Sequence, residues 1–156
     1  EFRRDSPDLL VMGGFYLQEQ MILQASIAKG DFMRGGEASS NLKDILRKLG
    51  VRSDITRRIT IVLYELEMNI IIHSLGGQVA AYISSDLIKV VAEDIGPGIE
   101  DVEKAFEPGY STANDEIREM GFGAGMGLDN VKHFSDDLEV KTGKGEGTSI
   151  TAIVYL

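Results

Sequence analysis

Hydrophobic and polar positions alternate along this chain with two periods, and each period predicts its own elements. Residues 20–31, "QMILQASIAKGD", read as a strand running into a turn. "EASSNLKDILRKLG" then places Ala38, Leu42, Ile45, Leu46 and Leu49 on one stripe of a helix, with Gly50 as its C-terminal cap. A second helix follows Ser53 and Asp54, either of which can cap it, and buries Ile55, Ile59, Val62, Leu63, Leu66 and Ile70 before ending near "SLGG". The period then changes to two. "QVAAYIS" and "LIKVVAED", joined by "SD", predict an antiparallel hairpin that sets Ile88, Val90, Ala92 and Asp94 on one face. "LDNVKHFSDD" predicts a short helix opening out of "GFGAGMG". "LEVKTGKGEGTSITAIVYL" closes the chain as a hairpin with Thr148, Ile150, Ala152 and Val154 on one side. No internal repeat is visible. Helices interleaved with strand hairpins predict an α+β two-layer sandwich, with helices on one face of a mixed, mainly antiparallel sheet; hairpin connections are too short for the crossovers of a doubly wound sheet.

Composition narrows the function classes. A length of 156 residues suits one domain, and 43% hydrophobic with 26% charged residues is ordinary for a soluble globular protein. No apolar run approaches the roughly 18 residues that span a membrane and no signal-peptide pattern opens the chain, so the expected compartment is the cytoplasm, without membrane partners. The absence of cysteine excludes disulfides, and two histidines leave little material for a zinc centre. A formal net charge of −9 argues against a nucleic-acid partner, which needs a basic face, but not against a nucleotide held by backbone N–H groups and a metal ion.

Three stretches carry candidate chemistry. Glu65, Asn69 and His73 stand four residues apart and form one polar row on an otherwise apolar helix. Taken alone the row also reads as an exposed amphipathic stripe; flanked by Ile70, Ile71 and Ile72, it reads as facing a cleft, where Glu and Asn suit a hard cation and a base. Asp94 precedes Gly96 and Gly98 in "DIGPGI", either an ordinary strand-end turn or a carboxylate that accepts a hydrogen bond from a ligand ring lying close to the backbone. Gly121, Gly123, Gly125 and Gly127 alternate immediately before a helix, whose exposed N–H groups form a ready phosphate site. This run is not the dinucleotide fingerprint, and no P-loop is present.

The series "ELEMNIIIH", "EDIGPGI", "GFGAGMGL" and "GTSI" resembles the N, G1, G2 and G3 boxes of the GHKL ATPases, the group of gyrase and histidine kinases. Within it, "FEPGYST" and "GAGMGLDNVKHFSDDLEV" are most similar to the small anti-sigma-factor serine/threonine kinases. The resemblance runs from about Met21 to Leu156, giving one ATP-binding domain over 21–156 and leaving residues 1–20 as an unassigned extension. It implies the Bergerat fold and a site for ATP and Mg. Glu65 would be the general base and Asn69 a magnesium ligand. Asp94 would read the adenine amino group beside Gly96 and Gly98, and Thr148 would close that pocket. Gly123, Ala124, Gly125, Met126 and Gly127 would cradle the phosphates, with Ser111 and Thr112 near the terminal one. Residues 100–119, with seven acidic and two basic side chains, would be the ATP lid. His73 matches a histidine often found after the Asn, with no chemistry that requires it.

The function so implied is an ATP- and Mg-dependent protein kinase that phosphorylates a small STAS-domain antagonist. The alternatives are a sequestering module that binds a sigma factor under control of its nucleotide, and a simple ATPase. A homodimer is left open.

Overall fold

The computed structural model describes residues 9–12, 15–110 and 127–156. Its centre is a five-stranded sheet of order β3-β4-β5-β7-β6, formed by β3 (Gln20–Ile27), β4 (Gly77–Ile83), β5 (Leu87–Asp94), β6 (Asp137–Gly143) and β7 (Gly147–Tyr155). Every pairing in it is antiparallel. Two further strands, β1 (Leu9–Met12) and β2 (Phe15–Gln18), pair with each other in a separate hairpin inside the N-terminal stretch that the sequence left unassigned.

Two helices, α1 (Glu37–Lys48) and α2 (Ser53–His73), cover one face of the sheet. The predicted apolar face of α2 is buried throughout, and Leu42, Leu46, Ile59, Leu63, Leu66 and Ile70 pack with Val79, Ile88, Val90, Ala152 and Val154 in one core. Each such side chain taken from water contributes roughly 1.5–3 kcal/mol, so the period-3.6 and period-2 faces find each other without further instruction. The alternation expected along β5 and β7 holds: Ile88, Val90 and Ala92, and Ile150, Ala152 and Val154, are all buried.

Three local expectations are corrected. Leu49, placed on the buried stripe of α1, is 56% exposed because the helix ends before it: Gly50 turns the chain at φ +75° and Val51 N–H donates to Leu46 O. Neither Ser53 nor Asp54 caps α2. The N-cap is Arg52, without a side-chain cap, and Asp54 instead accepts from the Arg52 guanidinium at 2.6 Å. The connection in the β4–β5 hairpin is Ser84-Ser85-Asp86, where the Ser84 hydroxyl accepts from the N–H groups of Asp86 and Leu87.

The start of α1 is held from outside. Gly36, its N-cap, has no side chain to offer, and the Glu67 carboxylate of α2 takes that place: Oε1 accepts from Gly36 N and Ala38 N at 3.1 Å, and Oε2 from Ser39 N at 3.3 Å. Glu67 is only 1% exposed, and burial pushes its pKa above the ordinary value despite these donors. Carboxylates favour helix N-termini because the unpaired N–H groups and the dipole point at them.

Candidate functional site

The last turns of α2, the end of β5, the start of β7 and the helix α4 (Gly127–Phe134) meet at one end of the sandwich. The short α3 (Val102–Ala105) follows the loop after β5, capped by the Asp101 carboxylate, which accepts from Lys104 N at 3.1 Å.

Glu65 and Asn69, one turn apart on α2, are both half-buried and face α4. A Cβ on Gly127 would stand 3.0 Å from Oε2 of Glu65 and 3.5 Å from Oδ1 of Asn69. Gly127 is therefore needed for close approach, and the two side chains converge on one point. On the next turn of α4, the Asn130 amide Nδ2 donates to Oε1 of Glu65 at 3.2 Å. His73, at the end of the row, is the last residue of α2, and burial lowers its pKa.

Asp94 ends β5 half-buried, with Oδ1 accepting from Thr148 N at 3.0 Å, so β7 fixes the carboxylate while leaving its second oxygen outside this bond. Burial pushes the Asp94 pKa up, opposed by that N–H donor. The loop after Asp94 is pinned on two sides. Leu75 N–H donates to Ile95 O at 2.7 Å, and Gly147 N–H donates to Gly96 O at 2.9 Å. Thr142 bridges the other flank: its Oγ1 accepts from Ile99 N at 2.8 Å and lies 3.0 Å from Thr148 Oγ1. Two glycines permit the approach. At Gly98 (φ +78°) a Cβ would fall 2.3 Å from Gly143 O, and at Gly147 (φ +79°) 2.2 Å from Asp94 O. Gly96, near Asp94 and Ser74, keeps an ordinary backbone with space for a Cβ at van der Waals distance.

The structure thus brings Glu65, Asn69 and Gly127 together in one group, and Asp94, Gly96, Gly98 and Thr148 in another at the adjoining strand ends. Ser111, Thr112, Gly123, Ala124, Gly125 and Met126 lie outside the described residues, as does much of the expected lid. Sequence reasoning missed Thr142, which carries no motif, and Asn130, whose signal was present: it stands three residues after Gly127, on the same side of the helix. A cavity of about 320 Å³ lined by Leu49, Val51, Arg52, Ile55, Ile83 and Leu156 lies at the opposite end of β5 and is unrelated to these groups.

The donor set suits magnesium. Asn69 Oδ1 and the Glu65 carboxylate are hard oxygen donors around a gap that a Cβ would fill. No cluster of three or more His, Cys, Asp or Glu side chains that could cage a metal occurs among the described residues. Magnesium commonly takes one or two protein oxygens and completes its shell with water and substrate phosphates.

Comparison with known proteins gives the family. The family described as histidine kinase-, DNA gyrase B- and HSP90-like ATPases matches residues 54–156. The serine/threonine-protein kinase RsbT of Bacillus subtilis (strain 168) is 35% identical over 118 residues, covering 73% of this chain and 83% of RsbT. The anti-sigma F factor of Thermoanaerobacter sp. (strain X514) is 36% identical over 97 residues, covering 59% of this chain and 64% of that protein, just under two thirds. Among solved structures, a chain of the SiaB–SiaC complex from Pseudomonas aeruginosa superposes with a TM-score of 0.59 at 13% identity, covering 86% of this chain and 89% of its own, a likeness of fold. On the family match and the RsbT relationship together, the chain belongs to the histidine kinase-, DNA gyrase B- and HSP90-like ATPases.

Proposed function

We propose that this protein is an ATP- and Mg-dependent serine/threonine protein kinase of the anti-sigma regulatory type, acting on a small STAS-like regulatory protein. The observation that carries the reading is the convergence of Glu65 and Asn69 on Gly127, a gap held open by a missing side chain beside a carboxylate. The kinase name of a relative at 35% identity supports it.

Each group has a task in this reading. Asp94 accepts from the adenine amino group through the oxygen not engaged by Thr148 N–H, and the glycine loop lets the ring lie against the backbone. Asn69 would hold a magnesium ion, which when bound would neutralise phosphate charge. Glu65 accepts the proton of a serine or threonine hydroxyl as the hydroxyl oxygen attacks the γ-phosphorus. The bond from that phosphorus to the bridging oxygen breaks, ADP carries away the bonding electrons, and the proton remains on Glu65. Most of the acceleration comes from positioning, with the base supplying roughly 10²–10⁴-fold.

The anti-sigma F factor relatives favour a second reading, a module that sequesters its partner in a nucleotide-dependent complex. The test uses γ-labelled ATP, magnesium and a purified STAS-domain protein, with wild type and Glu65→Gln. Label on a serine or threonine, lost about 100- to 10,000-fold in rate with Glu65→Gln while ATP binding persists, is the expected result. A partner retained stably with ATP and never labelled would overturn the kinase reading in favour of sequestration.

A further inference from the structure

The geometry points to Asn130 as a positioning residue that aims the Glu65 carboxylate, an inference that rests on the reading of Glu65 as the base. A general base needs more than proximity, because the accepting oxygen must present a lone pair along the line of the departing proton. A glutamate has three rotatable bonds to spoil that alignment. On this chain α4 approaches both carboxylate oxygens. Asn130 Nδ2 donates to Oε1 at 3.2 Å, and Gly127, one turn earlier on the same helix, faces Oε2, where a Cβ would stand 3.0 Å away. Among the described residues no other hydrogen bond to the Glu65 carboxylate occurs. The amide therefore fixes the oxygen that does no chemistry and directs the other into the gap shared with Asn69.

The orientation of the amide is set by chemistry: an ionised carboxylate only accepts, so the NH₂ side of Asn130 faces it. Asn130 also lies in a rigid setting. Val131 beside it is fully buried in the core, which fixes the rotation of α4 and with it the direction of Asn130. Loss of the donor would let Glu65 swing through its rotamers without removing the base, and a misplacement of about 1 Å at a reacting group costs on the order of 10²-fold in rate.

The test compares wild type with Asn130→Ala, Asn130→Asp and Asn130→Gln, and each of the first two in a Glu65→Gln background. The rate is followed as label transferred from γ-labelled ATP to a saturating STAS-domain partner. The expected result is a fall in kcat of about 10- to 100-fold for Asn130→Ala, with KM for ATP within about twofold. Asn130→Asp, nearly isosteric but without the donor, should be at least as slow, whereas Asn130→Gln, which keeps it, should recover part of the rate. Neither substitution should slow Glu65→Gln further, because the group being aimed is already gone. Independently of activity, the side-chain NH₂ resonance of Asn130 in ¹H–¹⁵N spectra should move on Glu65→Gln. Wild-type kcat in Asn130→Ala, or an unmoved Asn130 resonance, would overturn the inference while an inactive Glu65→Gln left the kinase chemistry standing. Normal turnover in Glu65→Gln would remove the base itself, and this inference with it.

Discussion

Truncating Glu67 to alanine should destabilise the protein far beyond an ordinary surface change, because this buried side chain is the cap of a helix in another part of the chain. Three N–H groups, those of Gly36, Ala38 and Ser39, lose their acceptor at once, and α1 has no side-chain cap of its own to replace it. Hydrogen bonds to a charged group contribute about 1.5–3 kcal/mol each, so the gross loss is bounded at roughly 9 kcal/mol. Against this stands relief from holding a carboxylate at 1% exposure, the same cost that lifts its pKa. A buried N–H left without an acceptor costs about 1–3 kcal/mol, so with three such groups and the relief set against them roughly 3–5 kcal/mol on balance is the expectation here. In urea, with a slope of about 2 kcal/mol/M for a protein of this size, the midpoint should fall by roughly 1.5–2.5 M. Glu67→Gln keeps the Oε1 bonds to Gly36 and Ala38 but turns an NH₂ group toward Ser39 N–H, and should cost about 1–2 kcal/mol. The pH dependence follows from the raised pKa. The folded protein holds the Glu67 proton above 4.5, where the unfolded chain releases it. The contribution is therefore fully present below pH 4.5 and is lost as pH rises through the folded value, so the gap between wild type and Glu67→Gln should narrow from acid to neutral pH. A loss under about 1 kcal/mol for Glu67→Ala would refute the capping account, and a gap that widened with pH would show that the N–H donors outweigh burial.

Two further perturbations probe the nucleotide end. Asp94→Asn should keep its oxygen on Thr148 N–H and present an NH₂ group to the adenine amino group; losing a charge-assisted bond worth about 1.5–3 kcal/mol weakens ATP roughly 10- to 150-fold by calorimetry. Equal wild-type affinity for ATP and GTP would remove adenine recognition. Gly147→Ala combines a positive φ with a Cβ 2.2 Å from Asp94 O, so β7 must shift away from Asp94; we expect about 2 kcal/mol or more of lost stability in a thermal melt together with lost ATP binding, and an unchanged melt would show that the strands tolerate the side chain.

Of the described elements, the five strands of the sheet and the helices α1, α2 and α4, with their order, follow from the sequence, because both depend on local periodicity, whereas β1, β2 and α3 do not. The apolar face of α2 from Ile55 to Ile70, and the alternations along β5 and β7, are patterns of spacing that any packed partner surface would bury. The motif residues Glu65, Asn69 and Asp94 were legible for the same reason: spacing along one helix, or place at the end of one strand, is a one-dimensional property. Tertiary structure alone decided which groups pair across elements. Glu67 stood unnoticed beside Glu65 because its partners at Gly36–Ser39 are about 30 residues away; the packing of α1 against α2 makes Glu67 a cap, and the packing of α4 against α2 sets Glu65 facing Gly127 and Asn130. Thr142 lies on β6 and gained its place beside Ile99 and Thr148 only when β7 inserted between β5 and β6. Leu49 was misplaced for the converse reason: its spacing continued the stripe, but the turn at Gly50 ended the helix before that spacing could bury it. Periodicity says which face of an element will be covered, whereas a hydrogen bond needs two groups within about 3 Å, and that distance exists only after the layers have packed.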